Sequence, residues 1–210
     1  MAAATIALAA VLLSAFWNHN KKETQTVQAV DHKVKTLSEE ESTTEPETEE
    51  EETLRYPKVS EQYTEIVSEN VRSPYVALLD VENNCIIAGK NKDARIYPAS
   101  MTKIMTAIVA LEAFSDLDHE ITLSENIFYA LDGQDATQAG FQPGESVRVR
   151  DLVYGVMLPS GAECCLALAD EASGSEEAFV EKMNKKAKSI GMKDTHFMDC
   201  TGLHDPEHYS

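Results

Sequence analysis

The chain has 210 residues, of which 43% are hydrophobic and 26% charged, and its 18 basic and 36 acidic side chains give a formal net charge of −18. A surface this acidic repels the phosphates of a nucleic acid, so nucleic acid is not expected as a partner. Ordinary numbers of Gly and Pro and many apolar residues exclude a collagen-like or wholly disordered chain, and allow a folded domain with appendages.

The first 20 residues contain no Asp, Glu, Lys or Arg, and residues 4–17 are almost wholly apolar. An apolar run of this length at an N-terminus predicts a signal peptide or a membrane anchor, with a buried helix of a soluble domain as the alternative. No small-x-small cleavage site follows the run, which favours an anchor. Lys21 and Lys22 follow the run and no basic residue precedes it, an order opposed to the positive-inside rule.

Residues 21–58 consist largely of Thr, Glu, Ser and Lys and show no hydrophobic periodicity. Nine Glu and no basic residue lie within residues 39–52, so half of the excess negative charge is concentrated there. Such a segment cannot bury enough apolar surface to offset its ordering entropy. It is predicted to be a disordered acidic linker, with recruitment of a basic partner as the alternative.

The folded part is expected to begin at residue 59. Residues 75–81 and 85–88 are rich in β-forming side chains, and the intervening Asn83 and Asn84 tolerate positive φ, so the two runs predict a hairpin. Residues 100–114 form an apolar run without Gly or Pro that is too long for a strand, which predicts a largely buried helix.

Residues 121–149 are expected to be irregular with short strands. Residues 151–158 and 162–173 are predicted helices, separated by Pro159-Ser160-Gly161, and a further helix over 176–190 is predicted to stop at Gly191. Strands followed by several helices indicate an α+β domain in which helices pack on an antiparallel sheet.

The tetrapeptide Ser100-Met101-Thr102-Lys103 carries the candidate chemistry. Taken alone, Ser100 is first of all a helix N-cap, and an S-x-x-K spacing is common by chance. The same spacing puts Ser100 and Lys103 on one helix face, where a desolvated lysine can take the serine proton. The free N–H groups of the helix N-terminus would then face the oxygen of an attacked carbonyl.

An ordered series of motifs resembles the serine D-alanyl-D-alanine carboxypeptidases, the low-molecular-mass penicillin-binding proteins of peptidase family S11. The resemblance covers roughly residues 74–210, and the series is far more specific than any single motif. The matching segments are 97–107 (YPASMTKIMTA), Gly144-Glu145, 151–155 (DLVYG), 158–161 (LPSG), 179–184 (FVEKMN), Gly191-Met192 and 201–203 (TGL).

The resemblance implies an α+β penicillin-binding-protein/β-lactamase-like transpeptidase fold that needs no cofactor and no metal. It implies that Ser100 is the acylated nucleophile, Lys103 its general base, and Ser160 the second-motif serine that relays protons to the leaving group. The expected reaction removes the terminal D-alanine from peptidoglycan stem peptides, with β-lactams as acylating inhibitors. The expected location is the extracytoplasmic face of a bacterial membrane, where the N-terminal segment tethers the protein.

The sequence differs from the family pattern in two places. The second motif is usually Ser-Gly-Asn, whereas Ala162 follows Ser160-Gly161 here and has no amide to bond the substrate. Glu163, the next residue, is expected at an exposed helix position. The third motif, Lys-Thr-Gly, does not occur. Residues 59–210 are therefore expected to be the N-terminal part of a catalytic domain, truncated at its C-terminus and inactive by itself.

Two other functions remain open. A serine β-lactamase or transpeptidase shares S-x-x-K and differs in how the acyl-enzyme is resolved. A non-catalytic wall-binding or penicillin-sensing domain is favoured by Ala162 and by the missing third motif.

Two further groups of residues are candidates for a metal site or a disulfide. His204, Asp205 and His208 lie in a Pro-containing loop without a second ligand-rich segment, so a metal site is not expected. The four cysteines, Cys85, Cys164, Cys165 and Cys200, have no zinc spacing. Cys164 and Cys165 cannot readily pair together, and a bond to Cys85 or Cys200 remains as open as free thiols.

Overall fold

In a computed structural model of the protein, the structure describes residues 56–210. The predicted membrane segment and the predicted linker as far as residue 55 lie outside the described residues. Within residues 56–210, no helix combines the length and the apolar character needed to cross a membrane. The described residues form two compact units, residues 56–94 and residues 95–210.

Residues 56–94 form a three-stranded sheet of β1 (Lys58–Glu65), β2 (Val76–Asp80) and β3 (Cys85–Lys90) in the order β1-β3-β2. β2 and β3 are antiparallel, and Asn84 in their connecting turn has a φ of +49°, as the predicted hairpin requires. β1 pairs with β3 in parallel, so the sheet is mixed. The sequence pattern does not predict β1, because this edge strand is polar and lacks alternation; charged residues on an edge discourage pairing with other chains.

Residues 95–210 contain five α-helices and a two-stranded antiparallel sheet. The elements are α1 (Thr102–Ala113), β4 (Glu120–Thr122), α2 (Glu125–Leu131), β5 (Ser146–Arg148), α3 (Val149–Met157), α4 (Ala162–Ser173) and α5 (Glu176–Ser189). The four predicted helices are present with ends shifted by up to two residues. The short helix α2 lies in the region that was expected to be irregular; its signal is limited to Ile127 and Leu131, which are buried four residues apart.

Helices α1 and α4 form the centre of this unit, because α1 contacts α3, α4 and α5 while α4 also contacts α2 and α3. The first eight residues of α4 are all buried. The largest side chains of the core include Leu152, Leu168, Phe179 and Met183, all fully buried. Burial of this apolar surface is the main force that holds the helices together.

The loop of residues 199–208 packs on the first two turns of α1 through polar contacts. Thr102, Lys103 and Thr106 of α1 are each at most 5% exposed. Thr106 Oγ1 donates a hydrogen bond to the Cys200 carbonyl at 2.6 Å, and Thr102 Oγ1 is hydrogen-bonded to His208 Nε2 at 2.8 Å. Because buried polar groups need partners, these bonds fix the loop on the helix.

Asp199 organises the inside of this loop. Its Oδ1 accepts hydrogen bonds from the backbone N–H groups of Thr201 at 2.7 Å and Gly202 at 2.5 Å, and from Thr201 Oγ1 at 2.8 Å. Its Oδ2 lies 3.2 Å from His208 Nδ1. Partial burial raises the pKa of the Asp199 carboxyl, but the bonds from His208, Thr201 and Gly202 outweigh it and leave the pKa below its usual value.

Gly202→Ala tests the close approach between this loop and the start of α1. A Cβ on Gly202 would lie 1.9 Å from the Ala99 carbonyl oxygen, and Gly202 has a φ of +81°. Gly174, at the end of α4, has nearly the same φ of +80° with nothing within 4 Å of its added Cβ. Gly174→Ala therefore isolates the backbone strain, which is about 1–2 kcal/mol.

We expect Gly202→Ala to lower the free energy of unfolding by at least about 2 kcal/mol more than Gly174→Ala, because the loop must move away from the Ala99 carbonyl. Urea unfolding of both variants measures the difference. Equal losses in the two variants would show that the contact with Ala99 is not tight.

Asp199→Asn tests the contribution of the carboxylate and its pH dependence. At neutral pH we expect the substitution to lower the free energy of unfolding by about 2 kcal/mol, since a charged acceptor is lost. Because the pKa of Asp199 is lowered in the folded state, its ionisation stabilises the folded state at pH values above the unfolded-state pKa. This contribution is lost as the pH falls through the folded-state pKa. The difference in stability between the two proteins should therefore begin to shrink below about pH 4 and should disappear below the folded-state pKa of Asp199.

Urea unfolding of the wild type and of Asp199→Asn at several pH values measures this convergence. Asp194→Asn, at an exposed position in the same region, is the matched control and should change stability little at any pH. A gap between wild type and Asp199→Asn that stays constant or widens in acid would contradict the assigned role.

Candidate active site

Ser100 and Lys103 meet at the N-terminal end of α1. Residues Ala99–Met101 form one 3₁₀ turn before the helix, and Ser100 lies in the middle of it. Lys103 Nζ donates a hydrogen bond to Ser100 Oγ at 3.3 Å. The predicted N-cap role of Ser100 is wrong: the N-cap position belongs to Met101, and the Ser100 hydroxyl contacts the lysine instead of the helix backbone.

Lys103 is 5% exposed and has a second, shorter hydrogen bond, from Nζ to the Thr201 carbonyl oxygen at 2.5 Å. This bond compensates part of the cost of burying the amine. It also holds Nζ beside Ser100, because the long lysine side chain is tied at its tip. The pair therefore consists of a hydroxyl and an immobilised amine within reach of proton transfer.

The backbone before Ser100 adopts an uncommon conformation. Ala99 has a φ of +49°, a region that costs an L-residue about 1–2 kcal/mol. Gly202 packs against the Ala99 carbonyl, so there is no room for a side chain at position 202, next to Ser100. Strained residues of this kind persist only where their surroundings hold them, and they concentrate at functional sites.

Ser160 lies in the turn between α3 and α4, at the place expected from the sequence. It also has a positive φ, +67°. Its Oγ is buried and makes no hydrogen bond to any described residue, Ser100 and Lys103 included. The structure thus joins Ser100 to Lys103 directly, while Ser160 has no hydrogen bond to either.

The N-terminal half of α4 is buried, and α4 contacts α1. Burial raises the pKa of the Cys165 thiol to about 12. Cys165 Sγ donates to the Gly161 carbonyl at 3.3 Å. All four cysteines are free, with Cys85 half-buried and the other three buried, so the alternative of free thiols is the one present.

The structure differs from the sequence prediction at Glu163. This residue was predicted at an exposed helix position, but it is fully buried in the first turn of α4. Its Oε1 accepts a hydrogen bond from the Gly140 backbone N–H at 2.8 Å. The eight consecutive buried residues of α4 explain the error, because a helix surrounded by other elements has no solvent face at this end.

The two histidines of the loop that was considered as a metal site, His204 and His208, make other contacts. His208 is 2% exposed and is held between Thr102 and Asp199, whereas His204 stacks edge-on against Tyr97 with ring centroids 5.2 Å apart. Within residues 56–210, no three His, Cys, Asp or Glu side chains form a group that could hold a metal ion.

Three contacts of the site are not predicted by the sequence: the Thr201 carbonyl binds Lys103, and Asp199 and His208 hold the loop in place. A backbone carbonyl carries no signal in the side-chain pattern. The motif Thr201-Gly202-Leu203 marked the loop, but only the fold reveals that it lies beside a helix about a hundred positions earlier.

The sequence matches the D-alanyl-D-alanine carboxypeptidase family, peptidase S11, over residues 60–210. It is 37% identical over 137 residues to the D-alanyl-D-alanine carboxypeptidase DacF of Bacillus subtilis, covering 63% of this chain and 34% of that protein. It is 35% identical over 144 residues to DacC of Escherichia coli, covering 63% and 35% of the two chains. The chain thus spans about a third of the length of these relatives.

Solved structures show the same relationship. Penicillin-binding protein 5 of Haemophilus influenzae matches with a TM-score of 0.62 and 34% identity, over 66% of this chain and 41% of that one. The Streptomyces K15 DD-transpeptidase matches with a TM-score of 0.60 and 35% identity, over 65% and 54% of the two chains. The α+β fold of the penicillin-binding proteins, expected from the motifs, is confirmed. This chain belongs to the D-alanyl-D-alanine carboxypeptidase family, peptidase S11.

Proposed function

We propose that this protein is a serine-type D-Ala-D-Ala carboxypeptidase that removes the terminal D-alanine from peptidoglycan stem peptides through an acyl-enzyme on Ser100. The observation that carries the proposal is the buried amine of Lys103, held 3.3 Å from the Ser100 hydroxyl by its bond to Thr201. Membership of the peptidase S11 family supports the same reaction.

In the first step, Ser100 Oγ attacks the carbonyl carbon between the last two D-alanines while its proton passes to the neutral amine of Lys103. Backbone N–H groups at the N-terminal turn of α1 stabilise the negative oxygen that develops. The carbon–nitrogen bond then breaks. A proton travels from Lys103 through the Ser160 hydroxyl to the departing amine, so D-alanine leaves neutral at nitrogen and Ser100 carries an ester.

In the second step, water attacks the ester carbonyl. Lys103 takes a proton from the water and returns it to Ser100 Oγ as the carbon–oxygen bond of the ester breaks. The products are the shortened peptide and the free serine, and the amine is again neutral. The net reaction is hydrolysis of one peptide bond, with every proton accounted for by the three side chains.

The proposed setting is the extracytoplasmic face of a bacterial membrane. Residues 1–20 would serve as a signal peptide or anchor, and the acidic residues 21–58 would hold the catalytic domain, residues 59–210, away from the bilayer. β-Lactams would act as inhibitors, because their strained amide acylates the same serine.

A transpeptidase is the second candidate, favoured by the match to the Streptomyces K15 DD-transpeptidase. The first step would be identical. In the second step an amine of another stem peptide, in place of water, would attack the ester of Ser100, and a new peptide bond would form.

Ser100→Ala tests the nucleophile. We expect the natural full-length protein to gain the mass of one penicillin molecule on Ser100, and the variant to gain none, since alanine has no nucleophilic oxygen. Mass spectrometry of the intact and digested protein measures the adduct. Ser124→Ala is the matched control, because this exposed serine makes no side-chain capping bond and its loss should leave the adduct unchanged. An adduct that persists in Ser100→Ala would refute the assignment.

Product analysis tests the reaction. With a stem-peptide mimic that ends in D-Ala-D-Ala, we expect free D-alanine and the shortened peptide in equal amounts, and neither from Ser100→Ala. A cross-linked product formed with an added acceptor amine would indicate the transpeptidase, and rapid release of hydrolysed penicillin would indicate a β-lactamase. A protein that is acylated by penicillin but releases no D-alanine would be a penicillin-binding domain without carboxypeptidase activity.

A further inference from the structure

The buried carboxylate of Glu163 has no part in the mechanism above, although it lies three residues after Ser160. Its side chain is fully buried, and only one of its two oxygens, Oε1, is paired, by the Gly140 backbone N–H at 2.8 Å. The second oxygen, Oε2, has no hydrogen-bond partner among the described residues. A buried carboxylate is costly, so its presence here needs a reason.

Glu163 joins a distant segment to the turn that carries Ser160. The Gly140 N–H binds Glu163, and one residue earlier in α4 the Ala162 N–H donates to the Thr137 carbonyl, also at 2.8 Å. Residues 137–140 therefore run along the turn and are bonded to it at two points. A Cβ on Gly161 would lie 2.8 Å from the Cβ of Ala139, so the two segments are in direct contact.

The other oxygen of Glu163 faces the turn itself. A Cβ on Gly161 would lie 3.0 Å from Oε2, so the carboxylate occupies the space above this glycine. Gly161 in turn donates its N–H to the Gly155 carbonyl at 2.8 Å. The residue after Ser160 is thus enclosed by α3, by Glu163 and by Ala139.

Ser160 depends on this enclosure. It has a positive φ of +67°, which an L-residue adopts only when its surroundings impose it. Its hydroxyl makes no hydrogen bond to a described residue that could hold its direction. The orientation of Ser160 is therefore set by the backbone of the turn, and the backbone is set by the contacts of Gly161, Ala162 and Glu163.

We propose that Glu163 is a positioning residue for Ser160: its carboxylate clamps residues 137–140 over the Ser160-Gly161 turn and so directs the Ser160 hydroxyl. The inference rests on the proposed function, in which Ser160 passes a proton to the leaving group. Glu163 lies in the first turn of α4, where the positive end of the helix dipole favours a carboxylate.

Two substitutions of Glu163 distinguish the effect of its side-chain length from the effect of its charge. Glu163→Gln keeps an oxygen at the length needed to accept from Gly140, and we expect acylation by penicillin within about threefold of the wild-type rate. Glu163→Asp keeps the charge but withdraws it by one methylene, and we expect acylation to slow by about tenfold because the turn is released. Stopped-flow acylation with a chromogenic β-lactam, on the natural full-length protein, measures both.

A double-mutant cycle then tests whether Glu163 acts through Ser160. Glu163→Asp should slow acylation in the wild-type background and should have no further effect on acylation in Ser160→Ala, because the hydroxyl that it directs is gone. The effect of Glu163→Asp on the free energy of unfolding in urea should be the same in both backgrounds. A purely structural role of Glu163 would also predict an equal slowing of acylation in both backgrounds. Glu171→Gln, at an exposed position of α4 bonded to His119, is the control and should match the wild type.

Three results would overturn the inference. The first is normal acylation in Glu163→Asp, which would show that the reach of Glu163 to Gly140 does not direct Ser160. The second is an equal slowing of Ser160→Ala and of wild type by Glu163→Asp. The third is a wild-type protein that penicillin does not acylate, which would overturn the proposed function and this inference with it, whereas the first two leave the proposed function intact.

Discussion

The buried amine of Lys103 is the constraint around which the site is built. It lies at the start of α1, where it contacts the Ser100 hydroxyl at 3.3 Å and the Thr201 carbonyl at 2.5 Å. An amine without partners in this core would cost several kcal/mol, so the loop that supplies the carbonyl is required for the helix end to be stable. The stability of the helix end and the geometry of the proposed reaction therefore depend on the same bond.

The loop meets this requirement because its own hydrogen bonds fix its shape. Asp199 pairs the N–H groups of Thr201 and Gly202 from inside the loop, and His208 connects Asp199 to Thr102 of α1. The Thr201 carbonyl is thus held in position to bind Lys103, the base of the proposed reaction. Acidic pH weakens this arrangement at Asp199, whose lowered pKa links folding to ionisation.

The turn that carries Ser160 is held in a different way from Lys103. Around Ser160 the chain has strained backbone, close glycine contacts and a buried carboxylate in place of a hydrogen-bonded side chain. Ala162, which replaces the amide usual in the family, is buried and uses its N–H to bind Thr137. The turn is therefore held by its backbone and by Glu163, and the proposed role of Ser160 depends on contacts made by segments far away in sequence.

Local patterns determined the hairpin, four of the five helices of residues 95–210 and the pairing of Ser100 with Lys103, because these depend on residues within a few positions of each other. The same patterns missed β1 and α2 and misjudged Glu163, since strand pairing and the burial of a short helix or a carboxylate are decided by distant neighbours. Only the tertiary structure brought the Thr201 carbonyl to Lys103. The physical reason is that a backbone acceptor carries no sequence signal, and its position follows from packing alone.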